Sequence, residues 1–265
     1  MAPIRKGDGT PLEIPGVSEV RSGDGRVFFE GDARPDSAEY HWPLDDGEGT
    51  TPREALQDGF DAEFVGSPSW VDGGWIGGYA LDLDGDEDAV ALPKDAFEDV
   101  VTQAEWGIAF SVESEFDDRI DYLSQQDETS YKLNIRSNVR ASAGSVEFEW
   151  QVGSSSGSDR TEVYTDGGLV NDGEKHRVFI RCTDMESTAD DFEIYVDDSA
   201  QSLSTHDNSD VENSGQEIRY DPYLGGWNRT GSLNNTLDAV VDNPTLYLNP
   251  SRETITEDYE WQPWS

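Results

Sequence analysis

Residues 106–114, WGIAFSVES, decide the fold. Trp106, Ile108, Phe110 and Val112 are apolar and alternate with small or polar residues. Successive side chains of a β-strand point to opposite faces, so this period of two predicts a strand with one face in a hydrophobic core. The rest of the chain is interpreted from this strand outward.

The same alternation returns in many segments after residue 38, and clusters of Gly, Asp, Asn and Ser separate them, as turns require. Many short strands at this spacing predict an all-β sandwich or jelly roll. Two brief segments, PREALQD at 52–58 and LPKDAFEDV at 92–100, have helical character. The alternating segments are GGYALDLDGDEDAVALP, YKLNIRS, SVEFEWQV, HRVFIRC, DFEIYVD and LDAVVDNPTLYL.

The charge balance is strongly acidic. The 57 Asp and Glu residues outnumber 18 Lys and Arg residues, and the net charge is −39. This charge repels nucleic acids and anionic membrane surfaces, which excludes both as partners. The 8 Trp, 10 Tyr and 10 Phe residues are enough for a folded core. High acidity with only four lysines therefore indicates adaptation to concentrated salt, where screening removes most of the self-repulsion.

The cysteine count and the apolar segments of the sequence limit the cellular locations that we expect for the protein. Cys182 is alone, so no internal disulfide framework exists, and its flanks VFIRCTDM predict a small buried side chain in a strand. The first residues, MAPIRKGDGTPLEIPG, contain no apolar segment typical of a signal peptide. We expect a soluble protein that is not exported by an ordinary signal and does not insert into a membrane.

The first part of the chain differs from the remainder. Residues 1–29 have equal numbers of acidic and basic side chains, so all of the negative charge lies after them. We expect an extended arm over residues 1–37 that packs against its own sandwich or against neighbouring subunits. An ordinary first strand of the sandwich is the alternative. The sandwich is expected over residues 38–250, and residues 251–265 are expected to pack on it.

The order of six segments resembles the laminin-G-like, concanavalin A-like family of lectins and glucanases. This resemblance implies a jelly-roll β-sandwich. The sequence departs from the family at Asp198, where the hairpin usually has glycine, so we expect a different turn there. The segments are HWPLDDGEGT, ALDLDGDEDAVALP, WGIAFSVES, EKHRVFIRC, FEIYVDD and LDAVVDNPTLYL.

Residues 4–42, IRKGDGTPLEIPGVSEVRSGDGRVFFEGDARPDSAEYHW, taken with the acidity, are similar to the starts of structural proteins from tailed viruses of haloarchaea. This second resemblance implies a protein of the virion exterior. It also implies a homo-oligomer whose arm binds other virion proteins while the sandwich faces the host or the solvent.

A glycine-rich loop near the end of the sandwich is the predicted ligand site. Trp227 offers a ring for stacking, and Asn228, Asn234 and Asn235 offer amides that suit sugar hydroxyls. The alternative is that Trp227 packs into the core beside Tyr223. Two of these asparagines also begin sequons, Asn228-Arg-Thr and Asn234-Asn-Thr, and glycosylation there would weaken the sugar-binding hypothesis.

Calcium is the predicted cofactor, because it takes several oxygen ligands and sandwiches of this family often bind it on the loop rim. An EF-hand is excluded, since the segment that opens at Asp82 has proline where the bidentate glutamate is needed. The alternative is that these acids are ordinary solvated groups of a halophilic surface. The predicted ligands are Asp86, Glu87 and Asp88 in a turn, and Asp238 and Asp242 at the rim.

Catalysis is not predicted. Glucanases of this family carry a Glu-x-Asp-x-Glu strand, and here Glu115 and Asp117 fit but Arg119 replaces the second glutamate. The shifted frame Glu113, Glu115 and Asp117 also has three acids, but such triplets are expected by chance in a chain with 57 acidic residues. The histidines, at 41, 176 and 206, are expected to be surface or hydrogen-bonded groups.

These observations predict a non-enzymatic, lectin-like protein on the surface of a haloarchaeal virus, as a decoration, turret or tail component that attaches to a host glycan. A carbohydrate-binding module on the cell surface or outside a haloarchaeon is the first alternative. A glycoside hydrolase is the second.

Overall fold

The computed structural model describes residues 20–21, 27–28, 35–75, 78–115, 119–126, 132–152, 159–212 and 217–261. Within these ranges strands dominate, with two α-helices, α1 (Lys94–Val101) and α2 (Arg252–Trp261), and one 3-10 turn at Ala189–Asp191. The strands are β1 (Val20–Arg21), β2 (Val27–Phe28), β3 (Ala38–His41), β4 (Glu63–Val65), β5 (Ser69–Asp72), β6 (Tyr79–Asp84), β7 (Ala89–Ala91), β8 (Trp106–Glu113), β9 (Ile120–Gln126), β10 (Lys132–Ser137), β11 (Glu147–Val152), β12 (Asp159–Tyr164), β13 (Lys175–Cys182), β14 (Glu186–Ser187), β15 (Phe192–Val196), β16 (Ser199–Ala200), β17 (Ser204–Asn208), β18 (Val211–Glu212), β19 (Tyr223–Leu224), β20 (Trp227–Arg229), β21 (Ser232–Asn234) and β22 (Asp238–Leu248).

Two sheets form the sandwich. The ten-stranded sheet runs β17-β12-β11-β10-β9-β19-β7-β4, with β20 paired to β9 and β21 paired to β20. The eight-stranded sheet runs β16-β15-β13-β8-β22-β6-β5, with β3 paired to β22. The predicted all-β sandwich is therefore confirmed.

The core lies between the two sheets. Trp106 of β8, on the eight-stranded sheet, meets Trp150 of β11 on the other sheet at 5.2 Å between ring centroids, and Phe148 at 5.9 Å. Phe192 of β15 joins the same cluster. The apolar residues that define the period of two in β8 are all buried in this core.

The second face of β8 is also buried, which an alternating strand does not require. Ala109 contacts a small apolar cluster on the outer face of the eight-stranded sheet, together with Phe179, Tyr195 and Tyr247, and Ile255 of α2 completes it. The carboxyl-terminal helix therefore covers an apolar patch that would otherwise face solvent.

A buried ion pair fixes α2 to this face. The Arg177 guanidinium donates from Nε and Nη2 to the two carboxylate oxygens of Asp258, at 2.8 and 2.7 Å. Both side chains are almost fully buried. Burial alone would lower the pKa of Arg177, but the charge and hydrogen bonds of Asp258 outweigh it and raise that pKa. The Tyr247 hydroxyl also donates to Asp258.

The turn of the hairpin between β15 and β16 shows why aspartate can occupy position 198. Asp197 and Asp198 have φ of 51° and 61°, the left-handed conformation that two-residue type I′ turns need and that glycine favours. The Asp198 carboxylate holds Arg252 at 2.6 Å and accepts a hydrogen bond from Thr256 at 3.1 Å. The expectation of a different turn is wrong, because aspartate tolerates the left-handed region and its side chain binds α2.

The two helical expectations have different outcomes. Helix α1 forms within 92–101, as expected, whereas residues 52–58 contain bends and a turn and no helix. The Glu54 carboxylate accepts hydrogen bonds from the backbone N–H groups of His41, Leu56 and Gln57. These side-chain bonds replace helical ones, which is why the prediction over 52–58 is wrong.

The arm is described only at β1 and β2, which pair antiparallel in a two-stranded sheet of their own. The remaining residues before 35 lie outside the described part of the chain, so the role of the arm stays a prediction. Cys182 is buried, and His41 and His176 are hydrogen-bonded, as expected. None of the helices in the described ranges is long and apolar enough to span a membrane.

Replacing the acid of the buried ion pair, Asp258→Ala, should lower the free energy of unfolding by about 3–5 kcal/mol, because Arg177 is left buried without a countercharge. The matched control is Glu257→Ala, on the exposed side of the same helix, with an expected change within about 0.5 kcal/mol. Denaturant titration at fixed molar salt measures both. Equal losses in the two variants would contradict the role of the pair.

Candidate functional site

A row of polar side chains crosses the outer face of the ten-stranded sheet. Strand register places Trp227 of β20 beside Ser124 of β9, Ser124 beside Asn134 of β10, Asn134 beside Glu149 of β11, and Glu149 beside Glu162 of β12. Alternate residues of these strands point the other way, into the core, namely Leu123, Leu133, Ile135, Phe148, Trp150 and Val163. The period of two therefore gives this sheet an apolar inner face and a polar outer face.

Arg136 is at the centre of the outer face. Its guanidinium donates to Glu149 at 2.7 Å and to Glu162 at 2.6 Å, and lies 3.6 Å from Glu147. All four side chains are nearly inaccessible. Burial alone would lower the pKa of Arg136, but the surrounding carboxylates outweigh it and raise that pKa.

Further cations balance the same acids. Lys132 lies 3.2 Å from Glu149, and Arg160 lies 2.5 Å from Glu162 and 3.4 Å from Glu149. Burial alone would raise the pKa of Glu149, but Arg136, Lys132 and Arg160 hold it at about 2. The outer face is thus an internally neutralised layer, in which acidic and basic side chains lie next to each other.

At the edge of this layer Trp227 is half-buried and lies outside the core cluster, so the alternative of core packing beside Tyr223 does not describe it. The guanidinium carbons of Arg119 and Arg229 each lie 5.5 Å from its ring centroid. The ring therefore holds two cations as well as offering apolar surface.

Asn228 has a different role from the predicted one. It is 1% exposed, and its side chain donates to the Asp221 carbonyl at 2.7 Å and accepts from the Gly231 N–H at 2.8 Å. The bond from Gly231 closes the hairpin between β20 and β21, and the bond to Asp221 holds β20 to the segment before β19. Because Asn228 follows Trp227 on a strand, it points to the inner face, and its amide is not available to a sugar.

The other two predicted amides are exposed. Asn234 donates to the Ser232 carbonyl at 3.0 Å, and Asn235 donates to the Asp121 carboxylate at 3.0 Å. Asp121 is fully buried and lies 3.8 Å from Arg119. Burial raises its pKa, although Arg119 and Asn235 oppose the shift. The fold thus brings Trp227, Arg119 and Asn235 to one rim.

Sequence reasoning missed Arg119, Arg229 and the buried charges as parts of this site. The signal for the charges was present, since the outward positions of KLNIRS and VEFEWQV alternate with their apolar ones. The signal for Arg119 was absent. Its meeting with Trp227 depends on the parallel pairing of β20 with β9, which no local pattern encodes.

The predicted calcium ligands do not form a cluster. Asp86 and Glu87 are exposed, and Asp88 is buried and accepts from the Ser67 N–H at 2.6 Å. Across the described ranges, no group of three or more His, Cys, Asp or Glu side chains could hold a metal ion. The calcium prediction therefore has no set of ligands to rest on in these ranges.

The second predicted pair of calcium ligands is separated. Asp242 is fully buried, with its carboxylate accepting from the backbone N–H groups of Trp75, at 2.7 Å, and Asn243. Burial raises its pKa well above the usual range. Its placement at the rim was wrong, because β22 carries it into the sheet interior. Asp238 is exposed.

A cleft of about 360 Å³ lies on the outer face of the eight-stranded sheet, across β6, β22 and β8. Four acids line it, namely Asp82, Glu113, Glu115 and Asp238. Partial burial and the nearby Asp238 raise the pKa of Asp82. Two members of the hydrolase frame are thus placed together, while Asp117 lies outside the described residues.

No family model and no curated protein sequence matches the chain. Solved structures do match. A mutant sialidase of Trypanosoma rangeli with trans-sialidase activity has a TM-score of 0.56 at 14% identity, over 85% of this chain and 33% of that one. The binding domain of Paraclostridial Mosquitocidal Protein 1 has a TM-score of 0.58 at 9% identity, over 85% and 52%.

The binding domain of botulinum neurotoxin serotype D/C VPI 5993 also has a TM-score of 0.58, at 10% identity, over 86% of this chain and 53% of that one. This chain therefore spans between a third and about half of the chains to which it is similar. At these identities the likeness shows the fold alone, a β-sandwich.

Removing the central cation of the outer face, Arg136→Ala, should cost about 3–5 kcal/mol at neutral pH, because three glutamates lose their buried partner. The loss should shrink as pH falls from the ordinary value of 4.5 towards 2, since the variant protonates Glu149 sooner than the unchanged protein does.

The matched control for this prediction is Arg53→Ala, an exposed arginine paired with Asp46. Its effect should be small and nearly independent of pH. Thermal and denaturant unfolding across pH 2–7 measures both. A loss in Arg136→Ala that stays constant over that range would show that the buried glutamates do not cause it.

Proposed function

We propose that this chain is a non-enzymatic, lectin-like module that binds glycans at the rim formed by Trp227, Arg119 and Asn235. The observation that carries this proposal is the half-buried indole at the edge of a polar sheet face, beside exposed amides. An aromatic ring stacks on the apolar face of a sugar, while amides and guanidinium groups bind its hydroxyls.

Two of the three structural neighbours support a binding role, whereas the sialidase is an enzyme. Two of them are named as binding domains of larger toxins, and this chain matches each over about half of its length. Those names describe the neighbours. For this chain they favour a module that recognises a surface over one that transforms a substrate.

The acidic cleft is the site for the alternative function, a glycoside hydrolase. Glu113 and Glu115 lie in it, but the residue at the family's second glutamate position, Arg119, contacts Trp227 and is not among the residues that line the cleft. Such hydrolysis needs an acid and a second carboxylate at a defined separation. We therefore infer no catalytic pair there.

We also propose that the protein serves on the virion surface of a haloarchaeal virus, as a homo-oligomeric decoration, turret or tail component that attaches to host glycans. The similarity of residues 4–42 to such virion proteins and the acidity of the chain support this location. The alternative is a module of the cell surface or extracellular space of a haloarchaeon. Calcium remains a proposal without a described ligand cluster.

Glycan binding predicts that Trp227→Ala weakens the affinity for bound saccharides by about tenfold or more, as loss of a central aromatic contact does. A glycan array at molar potassium chloride, followed by calorimetry on its hits, measures this. The matched control is Trp70→Ala, a half-buried tryptophan on the other sheet whose indole donates to the Gly49 carbonyl.

Three outcomes of that experiment contradict the proposal. They are an array without hits, equal weakening by both tryptophan variants, and release of reducing ends from a β-glucan by the unchanged protein. The last outcome would identify the acidic cleft as a hydrolase site. Circular dichroism of each variant confirms that the sheets remain.

The virion location predicts that mass spectrometry of purified particles from infected haloarchaeal cultures detects this chain at the stoichiometry of a structural protein. A chain found only in the cell envelope fraction would favour the alternative module. A matched preparation from uninfected cells is the control for envelope contamination.

A further inference from the structure

The rim around Trp227 has unusual charge for this protein. Acidic side chains outnumber basic ones about threefold, so an exposed arginine is normally close to a carboxylate. Arg53, Arg219 and Arg252 are exposed, and each has a carboxylate oxygen within 3.0 Å. In these pairs a nearby carboxylate occupies the guanidinium group of each exposed arginine.

The two arginines on Trp227 depart from this pattern. Among the described residues, the carboxylate that pairs with Arg119 is that of Asp121, at 3.8 Å, and this oxygen already accepts a hydrogen bond from Asn235. Arg229 is exposed and has no ion pair with any acid in the described part of the chain. Both guanidinium groups therefore keep donors that are not used by carboxylates of the described fold.

Trp227 positions these donors. Each guanidinium carbon is 5.5 Å from the ring centroid, so the two carbons lie within twice that distance of each other. Attraction between a cation and the face of an indole holds each group near the ring. The ring in turn is fixed by strand β20, which pairs with both β9 and β21. The two cations are thus arranged before any ligand arrives.

Planar guanidinium groups match carboxylates and sulfates, because two parallel N–H groups meet two oxygens of the anion. We propose that Arg119 and Arg229, held on Trp227, bind the acidic group of an anionic saccharide, a carboxylate or a sulfate ester. This inference rests on the proposed glycan-binding function and names the class of its ligand. Asn235, on the same rim, is placed for a neighbouring hydroxyl.

The net charge of the chain limits which anionic ligands Arg119 and Arg229 can bind. Nucleic acids and other polyanions meet the repulsion of the whole acidic surface, whereas a saccharide with isolated acidic groups brings few charges to the rim. In molar salt the screening length is roughly 3 Å, so direct guanidinium contacts persist while distant repulsion is removed. Concentrated salt therefore favours recognition by contact at this rim.

The test compares matched ligands in molar potassium chloride. Three oligosaccharides of one backbone are used, with a glucuronate, a sulfated glucose or a neutral glucose at the same position, and calorimetry measures each. The double variant Arg119→Ser, Arg229→Ser should weaken binding of the charged ligands by about tenfold or more, and by a clearly larger factor than it weakens binding of the neutral ligand. The two charged ligands distinguish a carboxylate from a sulfate.

The matched control is Arg219→Ser, an exposed arginine paired with Glu217 away from the ring. It should leave all three affinities unchanged. Trp227→Phe keeps an aromatic face for the cations and should retain the preference for acidic ligands. Circular dichroism and thermal unfolding confirm that each variant is folded.

The outcomes separate the two proposals. Equal binding of charged and neutral ligands, unchanged in the double variant but lost in Trp227→Ala, would overturn the anionic class and leave glycan binding standing. Absence of binding for every saccharide would overturn both. If the arginine variants instead change the mass measured by light scattering, the pair binds an acidic surface of a second copy, and the inference is wrong.

Discussion

The contact between Trp106 and Trp150 is the interaction on which the rest of the molecule depends. Each indole belongs to a different sheet, and their centroids are 5.2 Å apart in a cluster that also contains Phe148 and Phe192. Burying large aromatic groups between sheets supplies the main favourable free energy of a sandwich. Since this contact fixes which faces of β8 and β11 point inward, it also fixes which side chains are left for the outer surfaces.

The candidate site consists of residues that alternation leaves on the outer face, away from the core. Alternation along β9, β10 and β11 places apolar side chains inside and charged ones outside, and the outer ones neutralise each other around Arg136. The layer ends where β20 adds Trp227 to β9. Neighbouring residues on one strand can therefore have unrelated roles. Trp227 faces outward with two cations, whereas Asn228 closes a hairpin on the inner side.

Much of the fold could be predicted from local patterns, because strand period and turn composition are properties of adjacent residues. The strands after residue 38 and helix α1 are examples. Features that depend on contacts between residues distant in the sequence could not be predicted from local patterns. Residues 52–58 lack a helix because Glu54 binds backbone N–H groups, and Asp242 is buried because β22 runs through the sheet centre. The candidate site was predicted at Trp227, Asn228, Asn234 and Asn235. The inward position of Asn228 and the arginines beside Trp227 could not be predicted, because they depend on the register between β20 and β9.

Helix α2 has a consequence for how the domain is bounded. The sandwich was expected over residues 38–250, with residues 251–265 packed on it. The strands before residue 250 leave Phe179, Tyr195 and Tyr247 side by side on an outer face, with Arg177 among them. A chain shortened to residue 250 would expose this aromatic surface and would leave Arg177 without its countercharge, Asp258. In concentrated salt, where charge no longer keeps molecules apart, such a surface would drive self-association. By covering this surface, helix α2 thus limits self-association and precipitation.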